Sequence, residues 1–454
     1  NGSEIGDKAG NSINIGLPAV PSSNSLGGSS SIDVDGVGPK LISVSTPNKD
    51  GSYIIGDDID IVLEYDEDVV ITGTPCITLE TGGVDREACY VSGSGTDKIV
   101  FRYTIQDGDE TSELDYKGTT SLKLKGGSLK DKRGNDGDLE LPEPGNGSLA
   151  PTHKIEVDGV PPVIINVTSN PSNGKVGIGD TIIVCTEYDD VVSVSGTPNI
   201  LLETGDIDRA ATYISGSGTS TLCYQYIVQE GDSTLDLNYA QPGTINNNGG
   251  SVLDKNGNDA KVELPADNTG HSLGDNSDTK VDGNKPTVNT VKTSNPDGVY
   301  SAGDTIYIEI KTDEVVCVDG KPVLNLLNGK KAVYHSGSCS DLIIFSYVID
   351  KNDTMKSLEY EYPDAIDTTN GTIKDKVGND LDLDLPKPGD GKSLGDNSKI
   401  VINATPSITS ISSTQICEND DLYQANFVIA DIDDEASSLV ISATSSNAFV
   451  VPLS

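Results

Sequence analysis

"GTPCITLETGGVDREACYVSGSG" occupies positions 73–95, and "GTPNILLETGDIDRAATYISGSG" occupies 196–218, 123 residues further on. Each is an apolar–polar alternation broken at its middle by Gly-Gly or Gly-Asp, the pattern of two strands joined by a tight turn. Centring the turn on Gly82-Gly83, where φ > 0 suits glycine, sets Thr81 against Val84 and Cys76 against Cys89. Alternation outward from a hydrogen-bonded closing pair makes 76/89 a non-hydrogen-bonded pair. Its Cα atoms would lie about 4.5 Å apart, inside the range a disulfide accepts. The second copy keeps the register around Gly205-Asp206, with Asn199 and Thr212 in place of the cysteines. A third copy is three residues shorter. There a loop of Leu327-Asn328-Gly329, with Gly329 in the left-handed conformation, restores the register and sets Pro322 against Tyr334.

The hairpin is one phrase of a longer repeat. "VDGVGPKLISV" from Val34, "VDGVPPVIINV" from Val157 and "VDGNKPTVNTV" from Val281 open successive units, spaced 123 and 124 residues apart. "IGDDIDIVLEYDEDV", "KIVFRYTIQDGD" and "GGSLKDKRGND" return in the same order in each. The resulting organisation is 1–35, the end of a truncated copy; 36–158, 159–282 and 283–403, three full repeats; and 404–454, the start of a different module. That module is too short to close a sandwich core, and no signal peptide stands at Asn1, so the chain reads as a segment of a longer protein. Ile59, Ile61 and Leu63 alternate with Asp60, Val62 and Glu64, and Ile99, Phe101 and Tyr103 with Val100 and Arg102. About seven short strands per unit, punctuated by Gly, Pro and Asn, predict an all-β fold of tandem β-sandwiches.

Each full repeat carries two cysteines, at three different sets of positions: Cys76 and Cys89, Cys185 and Cys223, Cys317 and Cys339. Cys185 and Cys223 share the outward parity of their strands, so they meet only if those strands are neighbours in one sheet. One intradomain disulfide per repeat is the expectation, and with it an oxidising, extracellular setting. Cys417 has no visible mate.

The net charge is −40, which excludes nucleic acid as a partner, since phosphates need basic residues, and argues against anionic membrane surfaces. No apolar run reaches the ~18 residues of a membrane-spanning helix. His153, His271 and His335 fall in no metal-protease spacing, and neither a nucleophile elbow nor a phosphate loop is present, so no enzyme activity is expected.

Carboxylates recur at fixed places: Asp35, Asp158 and Asp282 at the junctions, and Asp57, Asp180 and Asp304 before the long strand. Asp66 and Asp68 (with Glu67), Asp189 and Asp190, and Asp313 and Glu314 stand at what reads as that strand's end. Hard oxygens at domain junctions suit Ca²⁺; solvated turns are the plainer explanation. The "DKRGND" run, Asp131 to Asp136, reads as a turn with Asp capping the backbone. Sequons at Asn1, Asn146, Asn166, Asn352, Asn370 and Asn403 permit glycosylation.

The phrase "SGTPNILLETGDIDRAATYISGSGTSTLCYQYIVQEGDSTLDLNY", followed by "NNGGSVLDKNGNDAKVELP", resembles the long tandem repeats of giant extracellular surface proteins, among them cyanobacterial swimming-associated cell-surface proteins and large adhesins. The resemblance runs from about Gly36 to Ile402, and the last module resembles cadherin-like modules. It implies Ig-like sandwiches in an extended array and a structural or adhesive role at the cell surface, without catalysis. Expected partners are the neighbouring repeats, other copies in a filament or surface layer, and a cell-surface or glycan ligand. The cysteines depart from the bacterial pattern. A second reading is a carbohydrate-binding accessory array of a large extracellular enzyme; the absence of Trp and the inward parity of Tyr103, Tyr226 and Tyr347 weigh against it.

Overall fold

The computed structural model describes residues 5–13, 16–409, 426–432, 434–442 and 444; Cys417 and Asn1 lie outside them. The described chain is nearly all β. By mutual contacts it divides into two compact units, 1–163 with 190–193 and 252–261, and 164–189 with 194–251 and 262–454.

In the first unit, alternation does what period-two patterning requires. Along Asp58–Thr72, Ile59, Ile61 and Leu63 are buried while Asp60, Val62 and Glu64 are only partly covered. This strand pairs antiparallel with Leu41–Ser45 on one side and Thr96–Thr104 on the other. The hairpin Cys76–Glu80 with Arg86–Ser92 continues the sheet beyond Thr96–Thr104. Cys76 stands opposite Cys89 and Leu79 opposite Arg86, the register read from the sequence. The turn itself differs: of the two glycines only Gly82 has φ > 0, at 96°. The buried Thr81 closes it with its side chain, its hydroxyl donating to Val84 O at 2.7 Å and accepting from Arg86 N at 3.1 Å.

A smaller sheet contributes to the same core. The last strand of the repeat, Ile155–Asp158, lies parallel to Gly51–Ile54 and antiparallel to Glu110–Thr111. Its Ile155 and Val157 join the core formed by Ile61, Phe101 and Tyr103. The chain therefore leaves the repeat from the middle of a paired sheet, with Asp158 at its rim.

The second unit repeats this plan twice. Thr181–Ser195 and Thr219–Ile227 are neighbours in one sheet, as the outward parity of Cys185 and Cys223 required. Asp278–Asp282 runs parallel to Asn173–Gly177, and Ile400–Ile402 parallel to Gly298–Tyr300. In the third hairpin Val323 faces Val333, and Gly329 takes φ 73°, the left-handed position the shorter loop needs. A short helical turn, Leu273–Asn276, that no periodicity announces is held by a capping box between Ser272 and Asp275. Among the described residues no helix is long and apolar enough to cross a membrane.

Disulfides join Cys76 to Cys89, Cys185 to Cys223 and Cys317 to Cys339. They place the chain in a non-cytoplasmic, oxidising environment.

Candidate functional site

The joints between repeats gather most of the chemistry. The acidic runs do not end the long strand. Asp58–Thr72 continues past them and changes partner, from Thr96–Thr104 to Ser128–Lys130. Its register with Thr96–Thr104 slips between Glu64 and Val69. Asp66, Glu67 and Asp68 stand in this irregular stretch. Thr305–Gly320 slips in the same way between Lys311 and Val316, around Asp313 and Glu314.

There Glu67 meets Asp35 and Asp131, one carboxylate oxygen from each lying within 4.8 Å of the others. Asp282, Glu314 and Asp375 make the equivalent group in the second unit. Both groups have an internal cation: Arg133 Nε lies 3.5 Å from Asp35, and Lys175 pairs with Asp282. One positive charge against three leaves each group net negative. Burial, and then the neighbouring Asp282 and Asp375, push the Glu314 carboxyl above the usual carboxylate range; burial, Asp35 and Asp131 do the same to Glu67. At the middle joint Asp158, Asp190 and Asp254 form no such group among the described residues. Asp190 is one methylene shorter than Glu67 or Glu314, and the Asn256 carboxamide donates to Asp158.

The other expected carboxylates are placed elsewhere. Asp57, Asp180 and Asp304 cap the turns before the long strands, accepting from Ile54 N, Gly177 N and Ser301 N at 3.0, 2.9 and 3.0 Å. Asp66 accepts from Lys40 N and Asp68 pairs with Lys132. Asp313 accepts from the amide and hydroxyl of Thr287, and Asp190 from Val191 N. Asp189 stands next to it in the strand Thr181–Ser195. Among the sequons, Asn146, Asn352 and Asn370 are exposed. Asn166 accepts from the Asn276 carboxamide at 2.8 Å, and Asn403 is partly buried.

Two features escaped sequence reasoning. The first lies under each departing linker. Asp109 is buried, accepting from Arg86 Nε and Tyr103 Oη at 2.6 Å each and from Gln106 N at 2.9 Å. Its backbone carbonyl accepts from the linker amide of Gly159 at 2.6 Å. Asp232 repeats the arrangement with Arg209, Tyr226 and Gly283. The recurrence of "DR" in the hairpin together with "DGD" or "EGD" downstream was the available signal. The second is the asparagine of the "GND" loop. Asp131, Asp254 and Asp375 each accept from the amides of their own loop and from the carboxamides of Asn135, Asn258 and Asn379. The turn reading of that motif describes this geometry.

Cys76, Glu87 and Cys89 also lie close together, but the two sulfurs are bonded to each other and offer no thiolate. On the outward face of the third repeat Tyr307 packs against His335, ring centroids 5.2 Å apart. No known protein-family model matches the chain, and no curated protein matches it.

Proposed function

We propose that the chain is a non-catalytic structural or adhesive segment of a large secreted cell-surface protein. It is built from tandem Ig-like sandwiches of the kind found in giant surface proteins and adhesins. The observation that carries this reading is the threefold recurrence of one strand order in the large sheet, each time with a smaller sheet and a separate disulfide. The recurring residues with the most elaborate bonding serve the joints. Immunogold labelling of the source cells with antibody against this chain tests it: label on a surface coat, stalk or filament is expected, and label confined to the cell interior overturns it.

Ca²⁺ is the proposed ligand of the two acidic groups at Asp35 and Asp282, since three hard carboxylate oxygens within 4.8 Å suit it. The carbohydrate-binding reading draws on the partly exposed Tyr307 ring beside His335. Tyr103 and Tyr226 are buried with their hydroxyls on Asp109 and Asp232 and give it no support. Glycan-array binding by the chain, lost in Tyr307→Ala, would favour it over the structural reading.

A further inference from the structure

The loop asparagines reach across the joints. Asn258 is 2% exposed. One of its N–H groups donates to Asp254 Oδ2 at 2.8 Å, within its own loop. The other donates to the backbone carbonyl of Asp158, at the end of the preceding repeat, at 3.0 Å. Its carbonyl accepts from the backbone amide of Ile55, in that same preceding repeat, at 3.3 Å. Asn379 does this again. It donates to Asp375 at 2.8 Å, to Asp282 O at 2.7 Å and to Asn284 O at 3.0 Å, and accepts from Ile178 N at 2.6 Å. A carboxamide has two N–H donors and a carbonyl oxygen that accepts, and here both donors and the oxygen are engaged. Both side chains are shielded from water, so solvent does not compete for these bonds.

The acceptor's partners are built for the contact. Ile55 sits at the second position of a turn, Ile54 to Asp57, closed by Asp57 N to Ile54 O at 3.0 Å with Gly56 at φ 88°. This is a type II turn, in which the amide of the second residue has no bond within the turn. Ile178 occupies the same place before Gly179, at φ 86°. The linker is held from the other side as well, Gly159 exchanging bonds with Asp109 O and Gly108 N at 2.6 and 2.7 Å.

We propose that this asparagine is the lock of the two joints at Asp158 and Asp282. It bonds the linker it receives and the turn of the repeat before it, so successive repeats are coupled through their backbones and not by a free tether. The lock needs no metal, and it stands independently of where the protein resides or what it binds.

Hydrogen exchange with mass spectrometry on the full chain, in chelator, tests it. In Asn258→Ala the Ile55 amide should exchange about thirtyfold faster or more, two to three bonds of ~1 kcal/mol each being lost. The Ile178 amide at the other joint and the core strand around Ile61 should stay at wild-type rates. Ile55→Pro provides a second test from the opposite side: proline suits that turn position and removes the donated N–H. It should speed exchange at the linker amides of Gly159 and Val160 about fivefold, the equivalent of one such bond. Three results would overturn the lock: unchanged exchange at Ile55 in the first variant, loss of protection spreading through the core strand, or wild-type linker exchange in the second.

Discussion

Arg86 Nε lies 2.6 Å from Asp109 Oδ1, and the aspartate side chain is wholly buried. A buried carboxylate without a cation is costly, and removing one partner of such a pair typically costs about 3–5 kcal/mol. Arg86→Ala should therefore destabilise the first repeat by roughly that amount, toward the lower end because Tyr103 and Gln106 still donate to Asp109. Arg86→Lys should cost less, because the third repeat already uses Lys330 against Asp353 at 2.8 Å. Urea unfolding followed by exchange at first-repeat amides checks this; a cost below about 1 kcal/mol would mean that the two remaining donors suffice.

The linker glycine presents a sharper contrast. A Cβ on Gly159 would fall 2.3 Å from Gln106 O, whereas a Cβ on Gly36, the same position one repeat earlier in the sequence, meets nothing within 4 Å. Gly159→Ala should force the linker off Asp109 and raise exchange at Gly108 and along Ile155–Asp158. Gly36→Ala should leave exchange unchanged throughout. Equal behaviour of the two would show that the linker adjusts freely.

How much of this was legible beforehand depends on the reach of each interaction. The hairpin was readable because its strands are joined by two glycines, so Cys76 and Cys89 follow from counting. The strand neighbours of the second repeat followed from the parity of Cys185 and Cys223. The joint was not readable in the same way. Asn258 contacts Ile55, 203 residues away, and nothing local in "NGND" says that its side chain faces another repeat. Glu67 was visible as one of three adjacent acids. That it alone turns toward Asp35 and Asp131 depends on a mid-strand slip that alternation does not reveal.

The three disulfides close loops of different length, with sequence separations of 13, 38 and 22. Loop entropy gives about 3 kcal/mol for the first and about 4 kcal/mol for the second. Non-reducing peptide mapping should recover the three pairs intact. On reduction, the second repeat should lose more stability than the first, measured by exchange at Tyr226 and Tyr103. The opposite order would point to structure retained in the reduced, unfolded chain.

Acid should act on the third repeat through Asp353. Burial works to raise its carboxyl, but hydrogen bonds from Lys330 and Tyr347 outweigh it and hold the group below its ordinary value. A depressed folded pKa contributes stability that is complete above the unfolded value of ~3.9 and is lost as pH falls through the folded one. Third-repeat protection should therefore decline below about pH 4, and Asp353→Asn should be less stable at neutral pH while losing that step. An unaltered acid transition in the variant would assign it to other carboxylates.

Calcium should distinguish the joints. Asp282, Glu314 and Asp375 offer three oxygens around one point, as do Asp35, Glu67 and Asp131, and Ca²⁺ takes six to eight oxygen ligands, waters included. The middle joint has Asp190 in place of glutamate and a carboxamide on Asp158. The joint after the third repeat has Ile402 and Asn403 where the others have Asp and Gly. Binding should therefore be confined to the two acidic groups, with Lys175 and Arg133 as the side chains that a divalent ion must displace or share. Calorimetric titration of the full chain with CaCl₂ should lose one site in Glu67→Gln, one in Glu314→Gln and none in Asp190→Asn. If neither glutamine variant changes the stoichiometry, these acids are neutralised by their own lysine and arginine, and the asparagine lock holds the joints without an ion.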